Sequence, residues 1–203
     1  MPRSPWLRPD PLLLASTSPT RRLLLESAAL PVETASPDVD GRAVEASSQG
    51  LSPPDLALRL ARAKADAVAA RHPGRVVIGA DQVLELDGTI FHKPRDSDAA
   101  RAQLARLAGR THALHSAVAL AGAIEDAFVE TARLTIRPLD ARAIAAYVDC
   151  AGAEKVRDSV GGYQLEGPGI HLFDSVTGDH STVLGLPLLP LLARLRAAGY
   201  LDF

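Results

Sequence analysis

Short apolar runs alternate with segments of helical period along almost the whole chain, and folds that layer helices on a sheet accommodate that alternation. Leu12–Ala15 has the length and character of a buried strand. The Ser16-Thr17-Ser18-Pro19 turn after it opens a helix through Ala28. Ser18 suits an N-cap and Pro19 the first helical position, where a missing N–H costs nothing. Val32–Ala35 reads as a second short strand, and the polar stretch Gly41–Pro54 as a loop. A long helix is predicted from about Asp55 to Ala70, with Leu56, Leu60, Ala63 and Ala67 on one face. Arg75–Ala80 reads as a central strand that leaves Asp81 at its carboxyl end, and Leu84–Ile90 as a hairpin turning at Asp87-Gly88. Helices at Asp96–Leu107 and about Asp140–Cys150, strands at His112–Ala121, Ala127–Arg137 and Ile170–Val176, and a helix from about Pro187 to Ala198 complete the pattern. The expected class is α/β: a mixed twisted sheet with flanking helices, one domain over residues 1–203 with its core from about 12 to 199, and a cleft between two lobes.

Composition narrows the function. At 47% hydrophobic and 23% charged, the 203 residues fall in the globular range. Lys plus Arg number 22 against 24 Asp plus Glu, and this balance disfavours a protein that grips nucleic acid through its phosphates. The single cysteine, Cys150, makes neither an intramolecular disulfide nor a zinc site, and is expected to be a small buried residue near a helix end. The opening Met1–Pro11 carries Arg3 and Arg8 without an apolar leader, and no stretch approaches the ~20 apolar residues of a membrane span. The expected location is the cytoplasm, with no membrane partner.

Four places can carry chemistry. The Ser16–Arg22 segment takes a strand through a Ser/Thr turn to a helix N-terminus, where free N–H groups and the dipole favour an anion. Arg21 and Arg22 are disfavoured there unless a phosphate accompanies them; the plain alternative is a capped helix with two solvated arginines. Asp81, past a buried strand, can hold a divalent cation or take a proton from water, or simply turn the backbone. Lys64 and Lys93 add phosphate partners. Asp38 and Asp40 can share a metal, or merely shape a turn. Glu166, in the glycine-rich Gly161–Gly169 stretch, can accept hydrogen bonds from a base edge. No P-loop, dinucleotide-binding glycine motif or nucleophile elbow is present. His112 and His115, three apart on a strand, face opposite ways and make a poor metal pair.

Together these segments resemble the Maf family of nucleoside triphosphate pyrophosphatases. The residues that carry the resemblance are Ala15-Ser16-Thr17-Ser18-Pro19-Thr20-Arg21-Arg22, Pro37-Asp38-Val39-Asp40, Leu60-Ala61 with Lys64-Ala65, Ile78-Gly79-Ala80-Asp81-Gln82-Val83, Lys93-Pro94, Gly109-Arg110-Thr111-His112 and Gly185-Leu186-Pro187. The resemblance implies a nucleoside triphosphate substrate cut to monophosphate and pyrophosphate as a clean-up of unwanted nucleotides. It implies a divalent cation (Mg²⁺, Mn²⁺ or Co²⁺) as cofactor and, in many members, a homodimer. By position Asp81 matches the family's proton acceptor; it is also the expected metal ligand, with Asp40 as a second metal carboxylate. Ser16, Ser18, Arg21, Arg22, Lys64 and Lys93 match the family's polar cleft residues and are the expected phosphate partners.

Within the family, Gln82 after the Asp and Glu166 before Gly167 are similar to the branch that acts on 7-methyl-GTP, whereas Thr20 stands where that branch carries Trp. Thr20, Gln82 and Glu166 are thus the expected specificity residues. A carboxylate suits guanine, whose N1–H and exocyclic amine are both donors; the alternative substrates are dTTP and UTP. Three positions depart from the family pattern: Gly41 replaces an acidic residue, Ser159 a lysine and His92 a glycine. A non-catalytic nucleotide-binding regulator of septum formation is the reading from another class, and an esterase using Ser18 lacks a partner histidine.

Overall fold

The computed structural model describes residues 4–203, so Arg3 of the opening stretch lies outside the described residues. The elements run β1 (Leu12–Ala15), α1 (Pro19–Ser27), β2 (Val32–Thr34), α2 (Gly41–Ala46), α3 (Pro53–Ala69), β3 (Val76–Leu86), β4 (Thr89–Phe91) and α4 (Ser97–Leu107). They continue with β5 (Thr111–Gly122), β6 (Asp126–Ile136), α5 (Ala141–Ala151), α6 (Ala153–Asp158), a 3₁₀ turn at Pro168–Leu172, β7 (Phe173–Thr177), α7 (His180–Val183) and α8 (Leu188–Ala197). Seven strands form one mixed sheet in the order β2-β1-β3-β5-β6-β7, with β4 also on β3. The fold is therefore mixed α/β, as the alternation implied. No helix among the described residues is long and apolar enough to cross a membrane.

Strand β3 organises the rest. On one side, its residues Val76 to Glu85 pair with β5. On the other side it pairs first with β1, as far as Ala15 opposite Gly79, and then with β4, starting at Phe91 opposite Leu84. Between those two partners Ala80–Val83 have no strand beside them, and the sheet is open there.

Alternation along β3 separates two faces. Val77, Val83, Ala117 and Ala119 pack under α3, which presents Leu56, Ala57, Leu60, Ala61, Ala65 and Val68. Ser52 caps α3 by accepting from the Asp55 N–H, and Pro53 opens it. The opposite face carries two apolar clusters in tandem. Ile78, Ala80 and Val118 meet Leu25 of α1 and Leu191 and Leu195 of α8. Leu84 and Leu114 meet Leu104 of α4 and Ile144 and Val148 of α5. Gln82 and its cross-strand neighbour Ser116 occupy the level between them. These tandem clusters are the two lobes.

Several expectations need correction. Residues expected in the Gly41–Pro54 loop include the helix α2, started by Asp40, whose Oδ1 accepts from the Arg42 and Ala43 N–H groups. Six residues with Val44 as their inward apolar contact carry no periodic stripe. Asp81 stands mid-strand rather than at a strand end. Strand β7 starts at Phe173, after a 3₁₀ turn, rather than at Ile170, and Cys150 is exposed. Helices α6 and α7, too short for a period, were not anticipated.

The closest approach of helix and sheet is at Gly79, where a Cβ would lie 2.2 Å from the Ala61 carbonyl oxygen and 2.6 Å from the Ala65 nitrogen. These are backbone atoms of α3 that cannot swing aside. Gly79→Ala is expected to push α3 off the sheet at a cost of about 1–3 kcal/mol, the usual penalty of overpacking. Thermal melting should fall by several degrees; a variant that melts with the parent would show that the helix does not sit this close.

Candidate active site

The open edge of β3 is a wall of a cleft of about 710 Å³, within the roughly 300–1,000 Å³ of ligand pockets. Successive side chains alternate, so Asp81 points to the α3 face and Gln82 to the other. The cleft passes through the sheet and meets different chemistry on its two sides.

On the α3 side, the contact at Gly79 sets Lys64 against Asp81. Lys64 Nζ donates to Asp81 Oδ1 in an ion pair whose side chains are 20% and 16% exposed. Lys93, beyond β4, lines the same cleft and has no carboxylate partner among the described residues. So do Arg42 and Glu45 of α2, and His92 Nε2 lies 3.5 Å from Glu45 Oε1.

On the other side, Arg21 closes the open edge. Its Nε donates to the Gly185 carbonyl at 2.8 Å and its Nη1 to the Ala80 carbonyl at 2.9 Å, with the Ser16 hydroxyl at 3.5 Å. The break in strand pairing lets a guanidinium reach Ala80. Burial lowers the pKa of Arg21 and the nearby Asp81 charge raises it. All three acceptors are neutral, so no direct contact neutralises the cation.

The turn into α1 is tied by its own serines: Ser16 Oγ accepts from the Ser18 N–H and Ser18 Oγ from the Arg21 N–H. The Arg22 N–H is bonded to the Ser18 carbonyl and Pro19 has no N–H. Thr20 thus supplies the remaining first-turn donor, fewer than the sequence suggested. The Thr20 hydroxyl stands 3.5 Å from Glu166 Oε1 across the cleft.

The loop that carries Glu166 is anchored from behind. Ser159 Oγ accepts from the Tyr163 N–H and donates to the Tyr163 carbonyl. Tyr147 O–H donates to the Gly162 carbonyl at 3.2 Å, and the Tyr163 hydroxyl meets His112 Nε2 at 2.5 Å. Burial lowers the His112 pKa to about 4 and raises that of Tyr163. His112 and His115 face opposite ways, as expected; His115 pairs with Thr131 at 2.9 Å.

Ser16, Ser18, Thr20, Arg21, Lys64, Asp81, Gln82, Lys93 and Glu166 are thus brought to one cleft. Two expected residues are not. Arg22 is exposed and ion-paired with Glu26 at 2.7 Å, because consecutive helical residues point about 100° apart and Arg21 takes the inward direction. Asp40 is exposed and spent on capping α2. Arg42 and Glu45 were missed because their segment read as a loop. Glu45 lies one helical turn beyond Gly41, so the cleft regains a carboxylate near the position that Gly41 leaves empty.

Among the described residues, no cluster of three or more His, Cys, Asp or Glu side chains is arranged to hold a metal ion. Glu45, Asp81, Asp158 and Glu166 nevertheless all line the cleft. Magnesium-type ions are commonly held by one or two carboxylates together with substrate phosphates, and Asp81 fits that pattern better than a protein-only cage.

A model of the Maf-like protein family matches residues 11–198. A nucleoside triphosphate pyrophosphatase of Rhodopseudomonas palustris (strain HaA2) is 51% identical over 201 residues, 98% of each chain. One from Bradyrhizobium diazoefficiens is 51% identical over 194 residues, covering 95% of this chain and 96% of its own. A protein of Brucella abortus biovar 1 named 7-methyl-GTP pyrophosphatase is 50% identical over 195 residues, covering 94% and 98%.

The buried histidine behind the loop makes stability depend on pH. Its folded pKa of about 4 lies below its ordinary 6.5. Below pH 6.5 the unfolded chain therefore takes up a proton that the folded chain refuses. The contribution of neutral His112 is fully present above pH 6.5 and is lost progressively down to about pH 4, on the order of 3 kcal/mol in all. Melting temperature should fall more steeply across that window in the parent than in His112→Gln; equal slopes would count against the assignment.

Proposed function

The chain belongs to the Maf-like protein family, and from that premise we propose that it hydrolyses the α–β anhydride of a nucleoside triphosphate carrying a guanine-type base, 7-methyl-GTP in preference to dTTP or UTP. The activity is that of a nucleoside triphosphate pyrophosphatase, a hydrolase acting on acid anhydrides. The observation that carries the reading is the Lys64–Asp81 ion pair at the open edge of β3, with the uncompensated Arg21 guanidinium on the opposite side of the same opening.

Water adds to the α-phosphorus and pyrophosphate leaves. Asp81 Oδ1 is engaged by Lys64, which leaves Oδ2 to take up the proton of the attacking water or to hold a cation with the nucleotide's phosphates. A divalent cation held by Asp81 would supply Lewis-acid polarisation of the phosphoryl oxygens. Lys64, Lys93 and Arg21 offset the charge that grows on departing pyrophosphate, and Ser16, Ser18 and the Thr20 N–H supply neutral donors.

The base preference rests on acceptors. Glu166 takes up hydrogen bonds, guanine's Watson–Crick edge supplies two adjacent donors, and methylation at N7 adds a positive charge that a carboxylate favours. Thymine and uracil present one N–H flanked by two carbonyls. The Brucella relative's name points the same way.

Pyrophosphate release from 7-methyl-GTP, dTTP and UTP with Mg²⁺, Mn²⁺ or Co²⁺ tests both levels. Turnover led by the methylated purine is expected, and Asp81→Asn should lower kcat by about 10²-fold or more. Turnover confined to the pyrimidines would overturn the base assignment. Nucleotide binding without turnover under every metal would overturn the enzymatic one.

A further inference from the structure

A buried hydroxyl and two backbone carbonyls set the orientation of Gln82. Ser116 stands directly opposite it on β5 and is fully buried, in the polar level between two apolar clusters. Its hydroxyl donates to the Thr182 carbonyl at 2.7 Å. With that proton committed, Ser116 Oγ meets Gln82 as an acceptor, 2.9 Å from Nε2. The same Nε2 lies 3.2 Å from the Thr182 carbonyl and 3.0 Å from the Val183 carbonyl.

The amide nitrogen is thus surrounded by three oxygens, none of which has a proton to give. A reversed amide would set Oε1 against two carbonyl oxygens and a hydroxyl turned away, each contact repulsive. Gln82 therefore shows one end to the cleft. Its Oε1 accepts no hydrogen bond among the described residues and is not a buried orphan, so it faces the open space as a bare acceptor. Glu166, another of the expected specificity residues in the cleft, is also an acceptor.

We infer that Ser116 is a positioning residue for base selectivity: it commits the Gln82 amide to present its oxygen, and so favours a base edge made of donors. This deepens the proposed preference for a guanine-type nucleotide and rests on it. Guanine meets such a wall with N1–H and its amine. A pyrimidine brings carbonyl oxygens, which Gln82 can greet only if its amide turns round. The Ser116 hydroxyl opposes that rotation twice, by filling the nitrogen's acceptor place and by holding the Thr182 carbonyl where the reversed amide's oxygen would be repelled.

The residue acts through another and touches no substrate, so its signature is a change of preference rather than a general loss. Ser116→Cys keeps the size of the buried side chain but weakens both hydrogen bonds; Ser116→Ala removes them. Melting curves establish that each variant is folded. The measurement is kcat/KM for 7-methyl-GTP relative to dTTP, with kcat and KM separated. In both variants the ratio is expected to fall about tenfold, the scale of one misplaced polar contact to a base, carried mainly by a raised KM for the purine. An unchanged ratio, or a parallel loss on both nucleotides, overturns the inference. The two levels of failure are distinguishable: a parent that prefers the pyrimidine sinks the substrate assignment on which this rests. A parent that prefers the purine, and keeps that preference without the hydroxyl, sinks the role of Ser116 alone.

Discussion

The contact between α3 and β3 sets the geometry on which the rest depends. Where helix and sheet meet, the facing residues are Gly79, Ala61 and Ala65, and no side chain larger than a methyl holds the backbones apart. Ordinary packing with larger residues would lift the helix and carry Lys64 out of reach of Asp81. The small residues are thus not passive filler. They convert a helix position and a strand position, 17 residues apart in sequence, into a partly buried ion pair. A charged pair in that setting is costly to desolvate and contributes little to stability by itself, so function explains its presence better than folding does.

A second feature turns that pair into a site. Strand β1 stops at Ala15 because Ser16-Thr17-Ser18 turn the chain into α1, and β4 reaches along β3 only as far as Phe91, opposite Leu84. The interval leaves part of β3 without a neighbour on that edge, which in most sheets would be a liability of unpaired backbone groups. Here Arg21 takes the Ala80 carbonyl. One interruption therefore opens the passage, orients the guanidinium and exposes two consecutive side chains on opposite faces of the sheet. Because strands alternate, Asp81 meets the cleft on the side of Lys64 and Gln82 meets it on the other.

Much of this was legible in the sequence where local rules act alone. The Ser18-Pro19 helix start and the Asp87-Gly88 hairpin each follow from residue chemistry within a few positions, whereas α3 buries Leu56 and Leu60 of the expected stripe with Ala57, Ala61, Ala65 and Val68 in place of Ala63 and Ala67. The misreadings share a cause. Asp81 was placed at a strand end because two polar residues interrupt an apolar run, yet the strand continues, since its polar residues face a cleft that sequence periodicity does not reveal. Arg21 and Arg22 looked equivalent until the helix gave them different directions. Asp40 offered a carboxylate of suitable type, but local capping claimed it. The Gln82–Ser116 pairing depends on strand register over 34 residues and leaves no trace in either local pattern.

The charges of the cleft complete the picture. Arg21, Arg42, Lys64 and Lys93 face Glu45, Asp81, Asp158 and Glu166 across the same space, so the formal charge is nearly balanced and a triphosphate is not drawn in by net attraction. What differs is how each charge is held. Lys64 is already paired, whereas Arg21 leans on neutral oxygens and Lys93 has no carboxylate partner among the described residues. Those two cations retain their capacity for a new anion. The carboxylates, conversely, repel the phosphate tail wherever no cation intervenes. A divalent ion carried in with the nucleotide would relieve that repulsion at Asp81 without a protein-only cage.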